Sequence, residues 1–117
     1  MWHNIESASA LNSILSGSAE DSPRFFLIFK HSTRCSISSM AKSRVEKGQD
    51  DRISYYLIDV IGNREVSNLL ADLSGVRHES PQAFLYQGSN LIEVTSHMAI
   101  RSGEISTHVD SLIQNQT

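Results

Sequence analysis

Apolar residues in this chain come in short blocks that switch between helical spacing and unbroken or alternating runs. Ile5, Ala8, Leu11, Ile14 and Leu15 recur near the helical period, and Gly17 with the polar run Ser18 to Pro23 ends that segment. Arg24 to Lys30 is a continuous apolar run, the pattern of a strand covered on both faces. Ser32 or Thr33 is placed to cap a second helix whose apolar positions Ile37, Met40, Ala41 and Val45 share one face. Lys42, Arg44 and Lys47 load its second half with the charge that suits the helix dipole, and Gly48 suits its end. Ser54 to Val60 reads as the next strand. Asn63 then caps a third helix striped by Val66, Leu69, Leu70 and Leu73 and stopped at Gly75. After a loop from Val76 to Gln82, Ala83 to Gln87 and Leu91 to Thr95 form a hairpin about Gly88-Ser89-Asn90. From about Ser102, Ile105, Val109, Leu112 and Ile113 predict a last amphipathic helix.

The predicted order is α-β-α-β-α-β-β-α. Crossovers long enough to hold a helix force parallel pairing, and the closing hairpin is antiparallel. The expected fold is therefore α/β, a central mixed four-stranded sheet with helices on both faces. The 117 residues suffice for one domain, taken as 1–117, without internal repeat or linker.

Composition narrows the function mainly by exclusion. Apolar residues make up 39% and charged residues 20%, an ordinary globular balance, and the net charge of −3 argues against a nucleic-acid partner. The apolar runs are too short to span a bilayer, so no membrane partner is expected. Met1-Trp2-His3-Asn4 opens a polar, serine-rich segment unlike an export signal. With a single cysteine, this leads us to expect a reducing, cytoplasmic setting. His3, His31, His78, His97 and His108 show no metal-ligand spacing, so no metal and no bound cofactor are expected.

That single cysteine, Cys35, carries the candidate chemistry. It lies between the first long strand and the second helix, where free backbone N–H groups and the helix dipole stabilise a thiolate. Lys30, His31 and Arg34 flank it with positive charge. Most lone cysteines are small buried hydrophobes; this setting points instead to a nucleophile. Ser38 stands three positions on, where a second thiol would be needed, so no internal disulfide can form and two-electron dithiol reduction is excluded unless another protein supplies the resolving thiol.

The layout, with a cysteine after the first long strand and Ser80-Pro81 just before the hairpin, resembles the thioredoxin fold. Phe-Lys-His-Ser-Thr-Arg-Cys-Ser-Ile-Ser at 29–38, Gly-Val-Arg-His-Glu-Ser-Pro-Gln at 75–82 and Thr-Ser-His at 95–97 are similar, more narrowly, to the YtxJ-type monothiol bacilliredoxins of the bacillithiol system. The resemblance runs over nearly the whole chain. Two positions depart from it: Ser36 stands where the family usually has proline, adding an N–H and a hydroxyl near the sulfur, and Met98 stands where an aromatic residue is expected.

The resemblance implies that Cys35 attacks a mixed disulfide between a client protein and a low-molecular-weight thiol, with bacillithiol as the co-substrate. It implies a cis Ser80-Pro81 bond beside the active cysteine, with the Ser80 backbone aimed at an extended substrate. Lys30, His31, Thr33, Arg34, Ser36, Ser38, Ser80 and Pro81 are the residues expected to support the thiolate or bind substrate. Arg34 suits the carboxylates of bacillithiol's malate. His31 reads equally as a strand-end histidine bonded locally or as electrostatic support. Asp59 reads more readily as a turn residue than as a proton acceptor; His78 and His97 belong to the motifs without a defined role. Two other functions stay open: a non-catalytic adaptor that holds a partner in the Pro81 groove, and a sensor thiolated or oxidised at Cys35.

Overall fold

The computed structural model describes residues 1–16, 24–100 and 102–114. Its elements are β1 (Trp2–Asn4), α1 (Ala8–Ser16), β2 (Phe25–His31), α2 (Ser36–Lys47), β3 (Ile53–Asp59), α3 (Arg64–Ser74), β4 (Gln82–Gln87), β5 (Asn90–Ser96) and α4 (Ser102–Gln114), with a 3-10 turn at His97–Ala99 between β5 and α4. The sheet has five strands in the order β1-β3-β2-β4-β5, not the expected four. The additional strand is β1, which pairs parallel with β3 from Trp2 opposite Tyr55 to Asn4 opposite Leu57. Three residues are too few to show a period. Trp2 qualifies as a strand residue through its partners, packing on Phe29 and Tyr55 with ring centroids 5.6 and 5.7 Å apart. The proposed end of α1 at 17–23 lies outside the described residues.

The remaining order is as predicted. β2 pairs parallel with β3 and antiparallel with β4, and β4 pairs antiparallel with β5. All seven residues of β2 are buried, which is why its sequence shows no alternation. Its side chains nevertheless divide between two cores. Phe25, Leu27 and Phe29 face Ala41 and Val45 of α2 and Ile105 and Val109 of α4. Phe26 and Ile28 face Leu11 of α1 and Val66 and Leu70 of α3. Full burial of such side chains is worth roughly 1.5–3 kcal/mol each, so β2 is the spine of the molecule.

Three apolar positions of the predicted stripes turn outward. Met40 and Leu73 are each 53% exposed, and Ile37 is 41% exposed. Serines take inward places instead, Ser38 in α2 and Ser67 in α3, both fully buried. α3 ends at Gly75 as read, in the left-handed conformation with φ +70, its N–H donated to the Ala71 carbonyl. Among the described residues no helix is long and apolar enough to cross a membrane.

Candidate active site

β2 and β3 end side by side, and the chain turns out of the sheet at 32–35 to begin α2. The turn is closed by the Cys35 N–H donating to the Ser32 carbonyl at 3.2 Å. Cys35 itself is the N-cap of α2, with extended backbone at φ −112 and ψ 119, and its carbonyl accepts the Ser39 N–H at 3.2 Å. This corrects the assignment of the cap to Ser32 or Thr33. Cys35 makes no side-chain cap hydrogen bond, and among the described residues no side-chain acceptor meets the N–H groups of the helix's first turn. Cys35 is partly exposed, so a disulfide can reach its thiol.

The neighbouring residues separate by strand alternation. His31 points to the α2 side and is 7% exposed. Its Nδ1 lies 2.7 Å from Ser38 Oγ, which also accepts the Ser32 N–H at 3.0 Å. The Ser38 hydroxyl can donate to Nδ1 or accept from it, and which it does sets the tautomer of the neutral ring. Burial, and then the charge of Lys42, hold the His31 pKa below the usual histidine value, against Asp59 and Glu46, which raise it. Ser38 thus occupies the place of a second thiol and does a different job: it joins the strand end, the turn and the helix through one oxygen.

Lys30 points the opposite way. Its side chain is fully buried on the α3 side, where Nζ donates to the Ser67 carbonyl at 2.9 Å and stands 3.2 Å from His78 Nδ1. It does not join His31 and Arg34 around the thiol, a correction that follows from the two-residue period of the strand. Thr33 and Arg34 are exposed on the turn, and Ser36 is the exposed first residue of α2.

The loop 75–82 leaves the sheet at the same edge. Lys30 pairs with Gln82, so His31 and Pro81 lie one residue further along adjacent strands. The Ser80-Pro81 bond is cis. The Pro81 carbonyl accepts the N–H of His97 at 2.9 Å, and His97 adopts φ +54, a left-handed conformation uncommon outside glycine. Ser80 Oγ is buried and has no hydrogen-bond partner among the described residues. Gln82, absent from the expected site, is fully buried and ties the loop together. Its Nε2 donates to the Arg77 carbonyl at 3.1 Å and its Oε1 accepts the Glu79 N–H at 3.3 Å.

Asp59 ends β3 as a turn residue. Its Oδ1 accepts the N–H groups of Ile61 and Gly62 at 3.0 and 3.2 Å, and a side chain at Gly62 would begin 2.9 Å from Oδ2. With Asn4, Glu6, His31, Thr33, Leu57 and Asn63 it lines a cavity of about 170 Å³ beside the cysteine turn.

Comparison with known proteins agrees with this geometry. The family model described as monothiol bacilliredoxin BrxC matches residues 3–105. Among solved structures, a presumptive oxidoreductase with a thioredoxin fold superposes with TM-score 0.79 at 23% identity, covering 91% of each chain. Thioredoxin from Trypanosoma brucei brucei superposes with TM-score 0.75 at 10% identity, over 97% of this chain and 92% of its own. A thioredoxin variant from Halobacterium salinarum gives 0.70 at 18%, over 94% and 88%. At these identities the structures establish the fold alone, and the fold is that of thioredoxin.

Proposed function

The chain belongs to the monothiol bacilliredoxin family, and from that premise we propose that Cys35 removes a low-molecular-weight thiol, bacillithiol, from client proteins by thiol–disulfide exchange. The Cys35 thiolate attacks the small-thiol sulfur of the mixed disulfide. A new disulfide forms between Cys35 and the small thiol as the client disulfide breaks, and the client leaves as a thiolate that takes up a proton. A second small-thiol molecule then attacks the Cys35 adduct, regenerating Cys35 and leaving as the symmetrical small-thiol disulfide. Overall one free small thiol is consumed, one client thiol is released and one disulfide bond replaces another, with the second small-thiol molecule as the reductant.

The observation that carries this reading is the lone Cys35 as the N-cap of an otherwise uncapped twelve-residue helix, partly exposed, with no second cysteine in the chain. The loop 75–82 emerging at the same edge supplies Ser80 backbone for an extended client segment. Arg34, exposed one residue before the thiol, faces solvent where a carboxylate of the small thiol would arrive.

Intact-protein mass spectrometry tests the exchange. Reduced protein mixed with a bacillithiolated client should gain one bacillithiol as the client loses it, and Cys35→Ala should gain none. A client that stays modified while Cys35 stays free would replace this reading with that of an adaptor. For Arg34, replacement by alanine should slow exchange with bacillithiol mixed disulfides several-fold more than with those of the uncharged thiol 2-mercaptoethanol; equal slowing would remove the carboxylate contact.

A further inference from the structure

Lys30 is a cation buried near the end of the sheet's central strand, and the exchange chemistry above makes no use of it. Its ammonium has three donors. One goes to the Ser67 carbonyl at 2.9 Å, one faces His78 Nδ1 at 3.2 Å, and the group stands 5.5 Å from the centre of the Phe84 ring. Among the described residues no carboxylate is within ion-pair distance of it. Ser67 Oγ also meets His78 Nδ1, at 3.2 Å. A lysine ammonium can only donate, so Nδ1 is an acceptor and the neutral ring carries its proton on Nε2.

An ammonium buried without a counter-ion is destabilising, and apolar replacement of such groups is often neutral or favourable. The other positions of β2 between Phe25 and Phe29 are all large and apolar, so a methionine at 30 would suit the strand. What lysine adds is a link between elements. It ties α3, through the Ser67 carbonyl, to His78 in the loop that carries Ser80 and Pro81, while Gln82 ties that loop to itself.

We propose that Lys30 is a positioning residue for disulfide exchange: one ammonium holds His78 and α3 together and thereby fixes the 75–82 loop at the sheet edge it shares with Cys35. This role rests on the exchange reading given above. The link requires a protonated Lys30 and an unprotonated His78 Nδ1, which bounds it in pH on both sides. Burial lowers Lys30 to about 8. Burial, then Lys30 and Arg64, lower His78, against Glu79, which raises it. Ser67 from α3 and Gln82 and Phe84 from β4 complete the surroundings and bring no charge.

The test compares the wild-type chain with Lys30→Met and His78→Ala, using a bacillithiolated client and dividing each rate by the thiolate fraction of Cys35 measured by ultraviolet absorbance. The wild-type rate per thiolate should fall as pH rises through about 8. Lys30→Met should be slower at pH 7.5 by on the order of tenfold, the scale of a small misplacement of substrate, and should lack the alkaline fall. His78→Ala should be slowed similarly. Denaturant unfolding should show Lys30→Met at least as stable as wild type, which separates positioning from general loss of structure. A Lys30→Met protein with wild-type rate and pH profile would overturn the proposal. A second readout does not depend on exchange. In a Cys35→Ser background the Ser80 amide resonance should titrate with Lys30, and not in Lys30→Met. A Ser80 amide indifferent to that titration would overturn the link itself, whereas a wild-type chain that exchanges nothing while Ser80 titrates would overturn the exchange reading and with it the role assigned to Lys30.

Discussion

Ser38 shows how much one hydroxyl can organise. It receives the Ser32 N–H, faces His31 Nδ1 and is itself fully buried, so the strand end, the turn and the first turn of α2 meet on a single oxygen three residues after the thiol. In a chain with two redox cysteines that place would carry the resolving sulfur, whereas here it stiffens the mount of the only one. Replacing Ser38 with alanine strands a backbone donor and a ring nitrogen in the interior, at a cost of about 1–3 kcal/mol in urea unfolding. The same substitution tests the tautomer. If Ser38 donates to Nδ1, its hydroxyl favours the neutral ring, and its removal should raise the His31 pKa toward the ordinary value when followed by NMR. A further lowering would mean that Nδ1 carries the proton and the bond runs the other way. The sequence singled out Cys35 because a lone cysteine after a long apolar run is conspicuous. It did not reveal this mount, because a serine in a helix looks solvent-facing until the packing around it is known.

At the scale of elements, the helices and the four longer strands were legible because each carries its own period or an unbroken apolar run. β1 was not, since a strand of three residues is defined by what it pairs with. Its contribution is nonetheless considerable. Trp2 packs on Phe29 and Tyr55, and its Nε1 donates to Glu46 on α2 at 2.6 Å, so β1 connects the edge of the sheet to the helix that bears Cys35 at its start. Trp2→Ala should cost about 2 kcal/mol, below the roughly 3–5 kcal/mol of fully buried aromatic truncation because Trp2 is only half-buried. A change within 0.5 kcal/mol would show that β1 frays from the sheet in solution. The stripes of α2 and α3 were read too wide: Ile37, Met40 and Leu73 lie past the edge of the buried face, and the serines inside it were overlooked because hydropathy alone cannot register a hydroxyl whose partners come from other elements. The same limit separated Lys30 from His31. Adjacent in the chain and both buried, they look like one electropositive patch, but in a strand they serve opposite faces.

For the whole molecule, these buried groups predict a stability that depends on pH in two separate windows. His31 and His78 are both held below the usual histidine value by burial first, so the folded state resists their protonation more than the unfolded state does. Their contribution is complete above about pH 6.5, the value of unfolded histidine, and is lost as pH falls through the lower folded values. Lys30 is lowered from 10.5 to about 8, so between those values the folded chain has released a proton that the unfolded chain still holds. Stability should therefore climb again from pH 8 toward 10, with a slope below the one-proton limit of about 1.4 kcal/mol per pH unit, before Tyr55 and Tyr86, both raised by burial, act in the opposite sense. Asp50 and Glu46 act only in acid: Arg52 holds the first carboxyl well below its usual range, Lys42 and then Trp2 lower the second, and both lose their partners' support as they protonate. Urea unfolding measured from about pH 5 to 10 should thus show a rise ending near neutrality, a plateau, and a second rise above 8. Lys30→Met should abolish the second rise and also weaken the first, because Lys30 helps to lower His78, whereas His78→Ala should weaken the first. A wild-type profile flat between about pH 8 and 10 would mean that the Lys30 ammonium reaches solvent, and the price of burying a cation on the central strand would no longer need an explanation in function.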